Sequence, residues 1–325
     1  MKNKILNLLK ESDDFLSGEK ISEVFGVTRA AIWKYINSLK EDGYEIESIS
    51  RKGYRLLSSP DILTYEEIKD KLKTEFVGRK VYYYDSIDST NKMAKDIAHN
   101  EKEGVIVVAE EQLEGRGRLG RHWESPKKKG IYFSIILKPQ VPPMKVAKLT
   151  LLGAAAVYQA LDEIGINSQI KWPNDIVVNG KKVCGILTEM SSELNMINHV
   201  VMGIGVNVNL EENDILEDLQ HKATSLKIES KGKVDRKKLL AAILNKFENL
   251  YILFKDGGET SQAIEICREN SAVIDKEVQV FSGSSKRVGK ALDINEEGEL
   301  LVEFDGKIET VFSGEISIRG IDGYI

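Results

Sequence analysis

Between residues 110 and 123 the chain reads EEQLEGRGRLGRHW, interleaving Gly115, Gly117 and Gly120 with Arg116, Arg118 and Arg121. Glycine lets a backbone turn with positive φ and approach a ligand closely. Arginine presents a planar fork of donors matched to carboxylate and phosphate oxygens. A segment that alternates the two is suited to strapping over a small polyanion. The same glycines match the dinucleotide-binding fingerprint, which requires a helix directly after the third glycine to take the pyrophosphate. Here RHWESPKKKG follows, and then the apolar run Ile131–Leu137, so a second strand is expected in place of the helix and the fingerprint is set aside.

Two further stretches carry chemistry. In Lys171-Trp-Pro-Asn-Asp175 a cation and a carboxylate flank a proline-stiffened turn, and Lys182 lies across the Asn179-Gly180 hairpin turn that follows. Asp88-Ser-Thr-Asn91 puts small polar side chains at the start of a helix expected over 92–99, where unsatisfied N–H groups collect. Each has a bland explanation alone: a solvated loop, a salt bridge at a sheet end, a helix cap. Serine-hydrolase chemistry lacks its GxSxG elbow, and the four histidines at 99, 122, 199 and 221 are too scattered for metal-only hydrolysis.

The elements that must position these residues divide the 325-residue chain into three. Residues 1–58 read as a winged helix-turn-helix. Ile21, Val24 and Phe25 form a helix stopped by Gly26, Thr28 caps the next, and Ile32, Ile36 and Leu39 recur at helical spacing. Thr28, Arg29, Ala30, Trp33, Lys34 and Asn37 then form a reading edge, and Arg51, Lys52 and Arg55 give a basic wing suited to DNA phosphates. Residues 59–274 read as a central α+β domain, a mixed sheet with helices. Thr64-Tyr-Glu-Glu67 suggests a capping box opening a helix to about residue 73, apolar helices are expected over 146–164 and 235–254, and Val200–Val208 reads as a buried strand. Residues 275–325 switch to short strands at 278–281, 287–294, 300–304 and 307–312, the pattern of a small SH3-like β-barrel.

Composition sets outer bounds. A hydrophobic fraction of 42% and a charged fraction of 30% suit a globular protein, and no apolar run reaches the length of a membrane span. Cys184 and Cys267 form no CxxC pair and the N-terminus lacks a signal-peptide pattern, so a reducing cytoplasm is expected. A formal charge of −5 argues against general coating of nucleic acid but leaves room for one local basic face.

Taken together, Asp88-Ser-Thr-Asn91, Gln112, Gly115-Arg-Gly-Arg-x-Gly-Arg-x-Trp123, Lys171-Trp-Pro-Asn-Asp175, Lys182-x-x-Gly-Ile-Leu187 and Gly203-Ile-Gly-Val-Asn207 resemble the biotin–protein ligases over the whole chain. With the N-terminal winged helix, the likeness is to the bifunctional class that also represses biotin genes. The resemblance implies a class II synthetase-like ligase core, with biotin, ATP and Mg²⁺ as cofactors and substrates. It implies two steps, formation of biotinoyl-5′-AMP and acyl transfer to a lysine of a biotin carboxyl carrier domain of acetyl-CoA or pyruvate carboxylase. Ser89, Thr90, Asn91 and Gln112 would then hold the ureido ring, with Arg116, Gly117, Arg118 and Lys182 completing the biotin site. Arg116, Arg118, Arg121, Trp123, Asn174, Lys182 and Asn207 would hold the nucleotide, Trp123 stacking on adenine. Lys182, Arg118 and Asp175 would be catalytic, Asp175 either binding Mg²⁺ or orienting the incoming lysine. The resemblance further implies operator DNA as a partner and a homodimer when the adenylate is bound. A lipoate-type ligase and a non-catalytic sensor are the alternatives, the first disfavoured by the two motifs and the second by retention of Lys182 and the arginines.

Overall fold

The structure is a computed structural model and describes residues 1–193, 196–283, 285–314, 316–321 and 324–325. The chain forms two compact units, Met1–Ile62 and Leu63–Ile325.

In the first unit, helices α1 (Lys2–Lys10), α2 (Gly18–Phe25) and α3 (Arg29–Glu41) precede a hairpin of β1 (Glu45–Ile49) and β2 (Gly53–Ser58). The local chemistry explains the breaks. The Ser17 side chain accepts from the Lys20 N–H at 3.1 Å to open α2. Gly26 ends it at φ 65°, and the Thr28 hydroxyl accepts from the Ala31 N–H at 3.2 Å to open α3. Ile5, Leu9, Ile21, Ile32, Ile36 and Leu39 close a core of their own. The wing is tied back by paired backbone bonds between Leu16 and Tyr54, both 2.9 Å. Gly53 is obligatory there: its φ is +114°, and a Cβ would stand 2.0 Å from the Leu16 carbonyl oxygen.

The second unit opens with α4 (Tyr65–Ile68), β3 (Val81–Tyr84), α5 (Thr90–Ala98), β4 (Ile106–Ala109) and β5 (Gly130–Leu137). Next come α6 (Leu149–Glu163), β6 (Gln169–Lys171), β7 (Asp175–Val178), β8 (Lys181–Glu193) and β9 (Met196–Asn207). They pair in the order β3-β4-β5-β9-β8-β7-β6, parallel between β3 and β4 and antiparallel elsewhere. Every residue of β4 and β5 is buried, because both sheet faces are covered, and their sequences accordingly run apolar without alternation. Ala94 and Ala98 of α5 pack on Val107, Ile136 and Val201 on one face. On the other, α6 packs with α8 (Arg236–Lys255), which follows α7 (Leu226–Ser230) and precedes α9 (Ser261–Glu269). A fully buried ion pair, Arg236 to Glu110 at 2.7 Å, joins the start of α8 to the residue that follows β4. Glu110 also accepts the Leu63 N–H at 3.0 Å, and Arg236 donates to the Gly130 carbonyl at 2.9 Å, so the strap's two roots hang from one network.

Strands β10 (Glu277–Ser282), β11 (Ser285–Ile294), β12 (Leu300–Phe304), β13 (Lys307–Val311) and β14 (Ile316–Gly320) form an antiparallel sheet in the order β13-β12-β11-β10-β14. The last strand adds to those read from the sequence. Pairing of β13 with β14, which would close the expected barrel, is absent among the described residues. Val278, Ala291 and Val302 join the same core as the central sheet, and the Trp172 indole N–H donates to the Gly298 carbonyl at 3.0 Å.

Two helices differ from expectation for tertiary reasons. The helix expected to reach residue 73 stops at Ile68 and tightens into a 3₁₀ turn over Lys69–Lys71, without a side-chain cap from Thr64. The Asn245 amide takes over the exposed backbone, accepting from the Lys73 N–H at 2.7 Å and donating to the Lys71 carbonyl at 3.0 Å. Helix α5 begins at Thr90, two residues earlier than expected, and Ser89 at its cap position makes no side-chain cap bond. The Gln112 carbonyl oxygen instead accepts the Thr90 N–H at 2.9 Å. The small polar side chains are thereby released from capping.

Candidate active site and DNA-binding face

The strap is a tight hairpin. Trp123 N–H donates to the Gly115 carbonyl at 2.9 Å and Gly117 N–H to the Arg121 carbonyl at 2.8 Å, around a 3₁₀ turn at Arg118–Gly120. Beneath it lie two adjoining chambers, which share Gly117, Arg118, Trp123, Asn174 and Lys182.

The inner chamber combines uncharged polar side chains with three cations, Arg116, Arg118 and Lys182. Ser89, Thr90 and Asn91 are buried at the start of α5. The Thr90 hydroxyl donates to Gln112 Oε1 at 3.0 Å, and Gln112 Nε2 donates to Ser125 Oγ at 3.0 Å. Ser134 Oγ lies 2.8 Å from Thr90 Oγ1 and 2.6 Å from Asn91 Oδ1. Asn91 Nδ2 donates to Glu189 Oε2 at 2.8 Å, and Lys95 closes the row with a 2.7 Å bond to Glu189 Oε1. Burial favours the neutral acid of Glu189, but hydrogen bonds from Lys95 and Asn91 outweigh it and hold the carboxyl below its ordinary range. Glycines on the sheet keep the space clear: a Cβ on Gly203 would stand 2.1 Å from Asn91 Oδ1, and one on Gly205 2.5 Å from Trp123 Nε1. That indole nitrogen is buried without a hydrogen-bond partner.

The outer chamber is cationic, with Arg118, Arg121, Lys171, Lys182 and Arg319 around Asp175. Arg118 donates to Asn174 Oδ1 at 2.8 Å and to the carbonyls of Ser313, Gly314 and Ile316 at 2.6, 2.9 and 3.0 Å, tying the strap to the approach to β14. Asp175 accepts from Lys182 Nζ at 2.6 Å through Oδ1 and from the Tyr324 hydroxyl through Oδ2. Burial alone would raise the Asp175 pKa. The Lys182 and Lys171 charges and the bonds from Lys182 and Tyr324 win, so the carboxyl lies below its usual range. Burial brings Lys171 down to about 7 against the pull of Asp175, with Lys182, Arg319 and Arg121 adding to the fall. Burial also lowers Arg118 despite Asp175. The hydrogen-bonding groups of the inner chamber therefore adjoin the positive charge of the outer one, with Arg118 and Lys182 lining both.

This layout agrees with what the chain is similar to. The Biotin/lipoate A/B protein ligase family matches residues 83–207, an HTH domain 2–55 and the Biotin protein ligase C terminal domain 273–319. "Bifunctional ligase/repressor BirA" of Bacillus subtilis (strain 168) is 42% identical over 309 residues, 94% of each chain. The chain belongs to the bifunctional biotin ligase/repressor family. The protein of the same name from Escherichia coli (strain K12) is 29% identical over 320 residues, 98% of this chain and 97% of that one. Among solved structures, the biotin protein ligase from Aquifex aeolicus in complex with biotin and ATP is 31% identical, with a TM-score of 0.65, covering 74% of this chain and 99% of that one.

For a member of this family, most of the residues singled out in the sequence converge. Ser89, Thr90, Asn91, Gln112, Arg116, Gly117, Arg118, Trp123, Asn174 and Lys182 line the inner chamber, and Arg121 and Asp175 the outer one. Asn207 falls outside both sets of lining residues, its amide donating to the Thr224 carbonyl at 3.1 Å. Sequence reading missed Ser134, Ser125, Glu189, Lys95, Arg319 and Tyr324. Ser134, the one polar residue inside Ile131-Tyr-Phe-Ser-Ile-Ile-Leu137 apart from the tyrosine hydroxyl, was the available signal. Lys95 follows Asn91 by one turn of α5 and Ser125 lies just after the strap, whereas Glu189, Arg319 and Tyr324 meet the site only through strand pairing and loop return.

In the first unit, Thr28 is exposed at the N-cap of α3, Arg29, Ala30, Trp33 and Lys34 are exposed on the helix, with Trp33 58% exposed, and Asn37 is half-buried. A groove runs between Arg29, Trp33 and Asn37 of α3 and Arg51 at the wing tip. Arg29 pairs with Glu19 at 3.1 Å between two exposed ends, an interaction that a phosphate could readily replace. Arg51 and Lys52 are exposed at the tip. Arg55 is engaged within the wing, bonded to Glu47 at 2.8 Å and 4.7 Å from the Phe15 ring centre.

Proposed function

We propose that this chain is an ATP-dependent biotin–protein ligase that also represses biotin genes. The observation that carries the catalytic half is that a cluster of uncharged hydrogen-bonding side chains, Ser89, Thr90, Asn91 and Gln112, adjoins a cationic chamber through Arg118 and Lys182, which line both. The ureido ring of biotin offers donors and acceptors without charge, matching Thr90, Asn91, Gln112 and Ser134. A dithiolane ring offers no comparable hydrogen bonds to these groups, which disfavours lipoate. The valeryl carboxylate then extends toward Lys182 and Arg118. In the first step a carboxylate oxygen attacks the α-phosphorus of ATP and pyrophosphate leaves. Lys182 and the arginines favour this step by meeting charge that builds on the α-phosphate oxygens. In the second step a neutral lysine amine of a carrier domain attacks the acyl carbon, AMP leaves, and the nitrogen loses its proton. Trp123, beside Gly205 and 5.2 Å from Lys182 Nζ, is the aromatic surface available to adenine.

The donor set does not suit a protein-held magnesium ion. Magnesium favours one or two carboxylates beside phosphate oxygens and water. Asp175 is the carboxylate lining the outer chamber among the described residues, and Lys182, Asn174 and Tyr324 already engage it. Magnesium enters this reading only as the ion that accompanies ATP, and Asp175 is assigned the orientation of Lys182.

For repression, the exposed face of α3 and the wing read operator DNA, with the adenylate as corepressor and a homodimer as the binding form. Arg118 links strap to C-terminal segment and gives ligand state a route beyond the site. Carrier domains of acetyl-CoA or pyruvate carboxylase are the acceptors and the cytoplasm the setting. No helix among the described residues is long and apolar enough to cross a membrane.

Pyrophosphate release that requires both biotin and ATP, and that lipoate does not support, is the expected result. Absence of release sinks the ligase reading. Operator binding should tighten when biotin and ATP are added together, and equal binding with and without them sinks the corepressor reading.

A further inference from the structure

Tyr324, next to last in the chain, is mostly buried against the Lys171-Trp-Pro-Asn-Asp175 turn. Its hydroxyl donates to Asp175 Oδ2. Its carbonyl accepts from Lys171 Nζ at 2.9 Å, and that ammonium stands 3.2 Å from the centre of the tyrosine ring. The Gly320 N–H at the end of β14 donates to the same carbonyl at 3.4 Å, and a Cβ on Gly320 would stand 2.6 Å from the Ile325 carbonyl carbon. Residues 324 and 325 thus lie close against the end of β14, and Tyr324 places one side chain between two charged residues of one motif.

We infer that Tyr324 is a positioning residue for adenylate formation, acting on the catalytic lysine through Asp175. This rests on the ligase reading above. The torsion that orients a carboxylate about its last carbon–carbon bond is broad and roughly twofold, so a single hydrogen bond leaves the group free to swing. Asp175 is held at both ends. Tyr324 occupies Oδ2, and Oδ1 is thereby aimed at Lys182 Nζ, 2.6 Å away. Lysine is a point charge on a flexible four-carbon stem and needs such an anchor to sit where charge develops on the α-phosphate. Asn174 adds a second donor to Oδ1 at 3.1 Å but leaves Oδ2 untouched. The C-terminal segment therefore contributes to both sides of the reaction site, through the carbonyls that hold Arg118 and through Tyr324.

The test is steady-state pyrophosphate release by the full chain with Tyr324→Phe, which keeps the ring on Lys171 and removes only the hydroxyl. The expected result is a fall in kcat of about tenfold, the scale of one bond to a charged group, with the KM for biotin changed by less than about twofold. Tyr324→Phe introduced beside Asp175→Asn should add little further loss, because both changes break one relay. A Tyr324→Phe enzyme with wild-type kcat overturns the inference, and so does a faster one, which would make the tail an obstruction. A loss that persists in full beside Asp175→Asn overturns it as well, since the tyrosine would then act elsewhere. A wild-type chain that releases no pyrophosphate overturns the ligase reading and this inference with it, whereas an active wild type with an unaffected variant overturns this inference alone.

Discussion

Gly203→Ala puts a methyl group 2.1 Å from Asn91 Oδ1, 2.8 Å from its Cγ and 3.1 Å from its Nδ2, so the asparagine must leave. Strand β9 cannot yield instead, because Gly203 is paired with Ser134 on one side and Leu187 on the other in the middle of the sheet. Expelling the side chain breaks the contact with Ser134 Oγ at 2.6 Å and the bond to Glu189 at 2.8 Å. The first is a neutral bond worth about 1 kcal/mol and the second a charge-assisted one worth roughly 1.5–3 kcal/mol, so the substitution should destabilise the fold by roughly 2.5–4 kcal/mol. The displaced amide also swings into the space proposed for the ureido ring, and biotin affinity should fall by about a hundredfold. Urea unfolding followed through Trp123 and Trp172, with calorimetric titration of biotin, measures both. A control isolates the cause. In an Asn91→Ala background the steric conflict is gone, so Gly203→Ala should cost no more than about 0.5 kcal/mol beyond Asn91→Ala alone. Wild-type stability and affinity in Gly203→Ala, or an undiminished penalty in the Asn91→Ala background, would refute this account.

Arg236→Met leaves the buried Glu110 carboxylate without its 2.7 Å partner and should cost about 3–5 kcal/mol, most of it recovered by adding Glu110→Leu; denaturation midpoints of the single and double variants decide this. Arg118→Gly removes the bonds to Asn174 and to the carbonyls of Ser313, Gly314 and Ile316, and should let the adenylate escape to label bystander lysines. An unchanged adenylate off-rate would contradict it. The Glu189 carboxyl is held below its ordinary value of 4.5, so its contribution is fully present above that value and disappears as pH falls through the lower folded one. Biotin affinity should therefore stay level from about pH 8 to pH 5 and decline only in stronger acid, and a midpoint near neutrality in the titration would show that Glu189 does not govern the site.

Much of the architecture was legible because its causes are local. Thr28 caps α3 and Gly26 ends α2 whatever lies beyond them, and the spacing of Ile32, Ile36 and Leu39 marks the buried stripe of the helix. Buried runs such as Ile131–Leu137 declare themselves by lacking alternation. The strap was legible too, since three glycines interleaved with three arginines have few structural uses. Departures arise where a distant residue takes over a local role. Gln112 accepts the Thr90 N–H and moves the start of α5, and Asn245 occupies the backbone groups where α4 was expected to continue. Asn207, in the right motif, turns to the Thr224 carbonyl because strand pairing points it that way.

The sequence by itself determined the parts list: a reading helix with a wing, a cationic strap, a lysine-aspartate turn and the strands to carry them. Tertiary structure alone decided which charges meet. Lys182 and Asp175 come together because β7 and β8 form a hairpin, and Glu189 reaches Asn91 because β8 runs beside β9 under α5. Tyr324 reaches Asp175 across 149 residues of chain. Hydrogen bonds and Coulomb attraction act over a few ångströms of space and carry no trace of separation along the chain. A residue such as Tyr324, with no periodicity or motif around it, acquires a role only when the fold returns it to the site.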